Sequence, residues 1–246
     1  LEGYNFYVYN YNQVSEKALV SFWGPDNPNA YALYDRKLKQ MTLLDYAYPE
    51  LSVEKMSIPA LSHYKTRDGV KIRNYILLPT NYKKGLKLSM VVLPHGGPQS
   101  RSRSSYDDFA QFVSTRGYIV IKPNFRGSTG YGRDFEEAGY KQWGQLMQDD
   151  ITDAVAFMVA QGFADPKKVC IAGFSYGGYA ALMGAIKTPN LYQCAVSING
   201  VTHLRDQIDF DIDVADDDQE FIQEYVLNSW SLVKIGTTAA HHFNEF

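Results

Sequence analysis

The first 57 residues alternate short apolar and aromatic runs with turn residues. Four such runs, at residues 6–9, 18–22, 30–34 and 41–44, have the length and the composition of strands. A turn rich in glycine and proline separates the second run from the third. The pattern predicts that residues 1–57 form an antiparallel β meander, which is too small to close a domain by itself.

From residue 58 onward, apolar runs that are typical of buried strands alternate with segments of helical periodicity. The strands are predicted at residues 71–78, 88–93, 118–121, 169–172 and 194–198. Strands that alternate with helices indicate a mostly parallel sheet with helices on both faces, which is the α/β class. Right-handed crossovers bring the strand ends to one edge of the sheet, where functional residues are expected. The pattern therefore predicts a second domain over residues 58–246.

Two helices of this domain have predicted starting points. The first is expected after an N-cap at Ser105, and it carries the apolar residues Phe109, Phe112 and Val113. The second is expected to begin at Asp150. Its apolar residues follow at i, i+3, i+4, i+7 and i+8 over residues 151–159, which predicts a single buried stripe.

The composition narrows the classes of function. A net charge of −3 over 246 residues gives no general reason to expect nucleic acid or an anionic membrane as a partner. No apolar run approaches the ~20 residues that span a bilayer, so no membrane span is predicted. No signal peptide is visible in a sequence that begins at Leu1, which leaves the compartment open between cytoplasm and periplasm. Cys170 and Cys194 lie in predicted buried strands, which favours two core thiols over a disulfide.

One pentapeptide, Gly-Phe-Ser-Tyr-Gly at residues 173–177, carries the strongest chemical signal. It directly follows a predicted strand and directly precedes a run of small residues with helical character. A strand that turns sharply into a helix at a glycine-flanked serine is typical of a nucleophile elbow, in which the serine takes strained backbone angles. The hydroxyl of Ser175 would then lie at the positive end of a helix dipole, where an alkoxide is least costly. Ser175 is therefore the predicted nucleophile.

A second motif is placed to stabilise the oxyanion that such a nucleophile creates. In this architecture one donor is the amide after the nucleophile, which is Tyr176, and the other comes from the loop after an earlier strand. That loop has the sequence His-Gly-Gly-Pro at residues 95–98, and the amide of Gly97 is the predicted donor. The alternative is an ordinary Gly-Pro turn in which His95 is a packing residue.

Four motifs in this order resemble the prolyl oligopeptidase family of serine peptidases: residues 95–98, 124–132, 143–150 and 173–178. The tyrosine after the serine and the His-Gly-Gly-Pro loop are most similar to the acylaminoacyl-peptidase and dipeptidyl-peptidase branches. The resemblance covers about residues 58 to 210. It implies an α/β-hydrolase fold, with residues 1–57 as the end of a β-propeller that restricts access to the serine.

The resemblance also implies the function. The expected activity is hydrolysis of peptide bonds in short peptides, of dipeptidyl or acylaminoacyl type, through an acyl-enzyme on the serine. No cofactor or metal is expected, and the partners are short peptide substrates with a possible homo-oligomer. Two alternatives stay open: an esterase of the same fold, and an inactive fragment that lacks the triad aspartate and histidine.

The rest of the catalytic triad is not evident in the sequence. In this fold the acid and then the histidine follow the nucleophile on later strands, and a βα repeat takes about 30 residues. Only 71 residues follow Ser175, with one clear strand among them. The interpretation is a hydrolase domain that is incomplete at its C-terminal side, with residues 230–246 foreign to the family pattern. His241 and His242 are weak candidates for the base, while His63 and His203 are expected to be structural or exposed.

Two charged segments have structural interpretations that are preferred over functional ones. Arg126 begins a glycine-rich stretch that lacks the order of a nucleotide-binding loop, so Arg126 is expected to tie loops together, with a substrate contact as the alternative. The acidic stretch 209–220 places carboxylates at several positions of a calcium loop, but Val214 stands where that loop requires glycine. It is therefore interpreted as a solvated acidic helix or loop.

Overall fold

The computed structural model of the chain describes residues 4–217, with side chains described up to residue 210. The described residues form two compact units. The first contains the residues up to Ala60 together with Ile76–Lys84 and Arg103–Val120, and the second contains Leu61–Tyr75, Gly85–Ser102 and the residues from Ile121 onward. The division into domains between residues 57 and 58 stays a prediction.

The first unit contains the predicted meander as a four-stranded antiparallel sheet of order β1-β2-β3-β4. The strands are β1 (Asn5–Asn12), β2 (Lys17–Trp23), β3 (Ala30–Asp35) and β4 (Gln40–Tyr46). The central strands bury small side chains such as Ala30 and Ala32, whereas β1 and β4 are exposed along their whole length. A strand is exposed in this way when it forms the edge of a sheet and neither of its faces is covered.

The α/β part is built on a six-stranded sheet of order β10-β9-β7-β8-β6-β5. Its strands are β5 (Ala60–Lys65), β6 (Lys71–Leu77), β7 (Leu88–Val92), β8 (Ile119–Asn124), β9 (Ala164–Phe174) and β10 (Cys194–Ile198). β9 pairs in parallel with both β7 and β10, which confirms the predicted α/β class. Every residue of β8 is buried, as expected for a central strand that is covered on both faces. The sequence pattern missed β5.

Five α-helices and one short 3₁₀ helix (Val53–Lys55) accompany the strands within the described residues. The α-helices are α1 (Asp108–Ser114), α2 (Arg133–Glu137), α3 (Leu146–Ala160), α4 (Tyr176–Lys187) and α5 (Leu204–Asp217). None of the helices among residues 4–217 has the length and apolar character needed to cross a bilayer. The acidic stretch is helical as far as Asp217, and residues 218–220 lie outside the described part of the chain.

Both predicted helix starts are wrong. The N-cap of α1 is Asp107 rather than Ser105, because the carboxylate of Asp107 accepts a hydrogen bond from the N–H of Ala110 at 2.9 Å. The next helix begins at Leu146, so Asp150 lies inside it and is fully buried. On α1, Phe112 is 53% exposed and does not join the core. The predicted stripe on α3 is buried at Ile151, Ala154, Val155 and Met158, whereas Val159, its last member, is half-buried.

The expectation of two core thiols is also wrong, because Cys170 and Cys194 form a disulfide. The two residues are direct partners in the parallel pairing of β9 with β10, with a Cα–Cα distance of 4.7 Å. That distance lies within the range over which a disulfide can form. Cys194 is exposed, because β10 is the edge strand of the sheet among the described residues.

Candidate active site

Ser175 lies at the junction of β9 and α4, where the sequence predicts it. Its backbone angles are φ 54° and ψ −121°, a region that residues other than glycine seldom occupy. Its N–H donates to the carbonyl oxygen of Ile198 at 3.0 Å, which continues the pairing with β10 up to the turn. The residue is exposed although its neighbours Gly173 and Tyr176 are buried. A strained, exposed serine on a rigid strand-to-helix turn is the geometry of an elbow nucleophile.

Three glycines allow the elbow to form, because each lets two backbone segments approach. A Cβ atom on Gly173 would collide with the backbone of Gly177, and one on Gly177 would collide with the carbonyl oxygen of Pro94. A Cβ atom on Gly178 would lie 2.8 Å from the Cα of Gly200. Real Cβ atoms do not make such contacts with backbone, so the turn requires glycine at these positions.

The side chain of Tyr176 is buried in a cluster of aromatic rings beneath the elbow. Its ring centroid lies 4.6 Å from that of Trp143, 5.3 Å from that of Phe125 and 5.6 Å from that of Tyr179. Burial raises the pKa of its phenol well above the usual value, so the group is neutral. The backbone N–H of Tyr176 belongs to the first residue of α4, where no intrahelical acceptor exists. Its role as an oxyanion donor stays a prediction.

The His-Gly-Gly-Pro loop, defined as residues 95–98 and called the oxyanion loop after its predicted role, lies against Ser175. A Cβ atom on Gly96 would lie 3.5 Å from the Cβ of Ser175 and 3.2 Å from the carbonyl oxygen of Phe174. Gly97 has φ +121°, which favours glycine. The structure thus brings together the two segments that the sequence pairs in function, while the donor role of Gly97 stays a prediction.

His95 is half-buried and engaged on both edges of its ring. Its Nδ1 lies 2.7 Å from the carbonyl oxygen of Gly96, and its Nε2 lies 2.8 Å from the Oγ of Ser128. The ring also stacks on Phe125 with a centroid distance of 4.4 Å. Burial, assisted by the charge of Lys122, lowers the pKa of His95 to about 4. A neutral histidine with both nitrogens occupied is suited to holding the loop and unsuited to acting as the base.

Arg126 is buried and holds two carboxylates. It binds Asp150 with its Nε and Nη2 at 2.8 and 2.6 Å, and its Nη2 also lies 2.9 Å from an oxygen of Asp68. Hydrogen bonding to Asp150 raises the pKa of the guanidinium, so the charge is permanent. These contacts join the loop after β8 to α3 and to the turn before β6, which supports the loop-tying interpretation of Arg126.

The other histidines of the described residues lie elsewhere. His63 is on β5, four strands away from β9, which corresponds to about 19 Å across the sheet. His203 precedes α5, where its Nδ1 lies 2.8 Å from a carboxylate oxygen of Asp206. His241 and His242 are outside the described residues. The base and the acid of a triad are therefore not assigned among residues 4–217.

Sequence reasoning missed two buried polar residues that organise the site loops. Asn124, at the end of β8, accepts from the N–H of Ser102 at 2.7 Å and donates to the hydroxyl of Tyr131 at 2.6 Å. Ser128 is fully buried and binds His95. Their position in the sequence could have revealed them. Polar residues at the end of a buried central strand, or shortly after it, must find hydrogen-bond partners inside the protein.

Comparisons with known proteins identify relatives of the chain. Residues 104–228 match the prolyl oligopeptidase family. The chain is 36% identical over 192 residues to dipeptidyl aminopeptidase BIII of Pseudoxanthomonas mexicana, and 32% identical over 206 residues to dipeptidyl peptidase family member 6 of Caenorhabditis elegans. Each match covers 76% of this chain and 28% of the relative.

Among solved structures, the chain is similar to a puromycin-hydrolyzing peptidase of Mycobacterium tuberculosis, with a TM-score of 0.74 and 26% identity. That match covers 93% of this chain and 34% of the other chain. The predicted α/β-hydrolase fold, preceded by a short antiparallel segment, is confirmed. The chain spans about a third or less of the length of these proteins.

Proposed function

Because the chain belongs to the prolyl oligopeptidase family of serine peptidases, we propose that the protein hydrolyses peptide bonds in short peptides through Ser175. The observation that carries the proposal is the contact between the elbow and the oxyanion loop, where Gly96 approaches Ser175 closely. Acyl transfer requires a nucleophile with backbone donors held close to it. The names of the two peptidase relatives support a dipeptidyl type of cleavage, and the His-Gly-Gly-Pro loop also suits an acylaminoacyl type.

The proposed reaction begins when the Oγ of Ser175 attacks the carbonyl carbon of the scissile bond and gives its proton to a histidine base. The oxyanion that forms accepts hydrogen bonds from the N–H groups of Tyr176 and Gly97. Collapse of this intermediate breaks the C–N bond, and the departing amine takes the proton from the histidine. Water then hydrolyses the acyl-enzyme. We assign the histidine and its aspartate to residues outside the described part of the chain.

Labelling with a fluorophosphonate tests the nucleophile directly. In a protein that also carries the base, we expect mass spectrometry to find the adduct on the peptide that contains Ser175. The variant Ser175→Ala should lose the label and on the order of 10⁶-fold in kcat, which is the size of effect seen when a triad serine is removed. Ser104→Ala, which changes an exposed serine, is the matched control and should behave as the parent. Peptide cleavage that survives Ser175→Ala would overturn the proposal.

An esterase remains the alternative, because the same elbow and oxyanion donors serve esters equally well. Turnover of an aminoacyl anilide and a p-nitrophenyl ester on one preparation separates the two activities. A peptidase should cleave both, since the amide is the harder bond, whereas an esterase should cleave only the ester. A folded protein that takes up no label at Ser175 would instead be an inactive fragment.

A further inference from the structure

The geometry points to Ser128 as a positioning residue for the oxyanion loop, acting through His95. The inference rests on the proposed function, because it gives Ser128 a part in aiming the N–H of Gly97. Ser128 is fully buried in the loop after β8, and its Oγ lies 2.8 Å from the Nε2 of His95 and 2.6 Å from the carbonyl oxygen of Phe125.

These contacts fix the tautomer of His95. A carbonyl oxygen only accepts hydrogen bonds, so the Nδ1 that lies 2.7 Å from the oxygen of Gly96 must carry the proton. In a neutral imidazole the Nε2 is then an acceptor and needs a donor. The hydroxyl of Ser128 is that donor, and its single proton is shared between the Nε2 and the carbonyl oxygen of Phe125.

The tautomer of His95 in turn orients one peptide unit of the oxyanion loop. The carbonyl of Gly96 and the N–H of Gly97 belong to the same planar peptide group, and in a trans peptide they point in opposite directions. The cis bond of this loop is the next one, between Gly97 and Pro98. When the Nδ1–H of His95 holds the carbonyl of Gly96 on one side, the N–H of Gly97 is directed to the other side.

The element that presents Ser128 is itself rigid. Two residues before it, Arg126 is fastened to Asp150 through its backbone N–H at 2.8 Å and through its side chain. The ring of Phe125 stacks on His95 with an interplanar angle of 14°. The loop therefore holds the imidazole by its face and by its Nε2 edge, which leaves the ring one orientation.

Loss of the Ser128 hydroxyl should loosen this arrangement without unfolding the protein. In Ser128→Ala the Nε2 of His95 has no donor, so the ring can flip or change tautomer, and the Gly96–Gly97 peptide loses its fixed plane. A misplaced oxyanion donor weakens binding of the transition state more than binding of the substrate. Misplacement on the scale of 1 Å costs about 100-fold in rate, so we expect a loss of roughly 10- to 100-fold in kcat.

The first test uses nuclear magnetic resonance of the 246-residue chain with ¹⁵N-labelled histidine and glycine, and it does not depend on activity. The parent should show the Nδ1–H tautomer at His95, whose signal is identified by its absence in His95→Gln. In Ser128→Ala, the His95 signals and the Gly97 amide signal should both shift, and the Gly97 amide should exchange with solvent faster. Ser114→Ala removes another fully buried serine hydroxyl, on α1, and should leave both signals in place. An unchanged Gly97 amide in Ser128→Ala overturns the inference.

The second test measures kinetics on a preparation that cleaves peptide. Ser128→Ala should lower kcat by roughly 10- to 100-fold with KM within about twofold. Ser128→Thr keeps the donor and should recover most of the loss. An unchanged kcat, or a fall in kcat matched by a lower unfolding temperature and no recovery in Ser128→Thr, overturns the inference. Cleavage that persists in Ser175→Ala would instead remove the proposed function, while the resonance test still decides whether Ser128 orients the loop.

Discussion

Arg126 and Asp150 form a buried bidentate ion pair, with the Nε–Oδ2 distance at 2.8 Å and the Nη2–Oδ1 distance at 2.6 Å. The side chain of Asp150 is 0% exposed and that of Arg126 is 6% exposed. Removing one partner of a buried ion pair costs about 3–5 kcal/mol. Because Arg126 keeps Asp68 as a second carboxylate, the loss of Asp150 should fall toward the lower end of this range. The conformation of the loop after β8 therefore depends on this contact with α3.

We expect Asp150→Asn to lower the free energy of unfolding by about 3–5 kcal/mol in urea denaturation. The matched control is Glu137→Gln, which breaks the ion pair with Arg133, whose side chain is 87% exposed. That substitution should cost less than about 1 kcal/mol, because exposed ion pairs contribute little. Equal effects of the two substitutions would contradict the assigned role of Asp150.

Gly177→Ala should disrupt the elbow. A Cβ atom there collides with the carbonyl oxygen of Pro94, so α4 must move away from the end of β7. We expect a loss of about 2–4 kcal/mol in stability, together with loss of fluorophosphonate labelling at Ser175. Gly184→Ala in the same helix meets only side chains, the nearest being the ring of Tyr192 at 2.9 Å. Gly184→Ala should therefore keep the label. A Gly177→Ala protein that is labelled normally would contradict the close approach of Gly177 to Pro94.

Reduction of the Cys170–Cys194 bond should destabilise the sheet edge. The bond joins β9 to β10 across a sequence separation of 24 residues. For a loop of this length the expected contribution to the free energy of unfolding is about 2–4 kcal/mol. Thermal unfolding with and without a reductant measures it, and a variant with both cysteines changed to serine should show no effect of reductant. Two free thiols found in an oxidised preparation by mass spectrometry would contradict the bond.

The half-buried imidazole of His95 should make stability depend on pH. Its pKa falls from 6.5 to about 4 on folding, because burial disfavours the charged form. The folded state therefore binds fewer protons than the unfolded state between these values. Its contribution to stability is fully present above about pH 6.5 and is lost as the pH falls toward about 4.

The matched measurement compares the free energy of unfolding of the parent with that of His95→Gln, which has no titrating group at this position. The difference in the free energy of unfolding between the parent and His95→Gln should change by about 2–3 kcal/mol across this pH range. Parallel curves for the two proteins between pH 4 and pH 7 would contradict a lowered pKa at His95.

Much of the fold and one half of the candidate site could be predicted from the sequence, because their signals are local. The strand before Ser175 and the helix after it are set by apolar runs and small residues that are adjacent in the chain. The order of the elements along the chain was enough to assign the His-Gly-Gly-Pro loop and the elbow to the same site. Local patterns of this kind predict the structure correctly because the tertiary packing favours the same elements.

What could not be predicted depends on partners that are distant in the chain. Asp150 suits a helix start by its residue type, but its burial against Arg126 overrides that preference. The bond between Cys170 and Cys194 forms because the register of β9 against β10 places the two residues side by side. The amino-acid composition does not determine that register. The role of His95 depends on Ser128, 33 residues away.

The elbow is held almost entirely by main-chain atoms. The N–H of Ser175 bonds to the carbonyl of Ile198, and the glycines of the turn abut the carbonyl of Pro94 and the backbone of Gly200. Main-chain atoms are the same whatever side chain they carry, so these contacts do not depend on which side chains the neighbouring residues have. We therefore expect the backbone of Ser175, the proposed nucleophile, to tolerate changes in the exposed side chains around it.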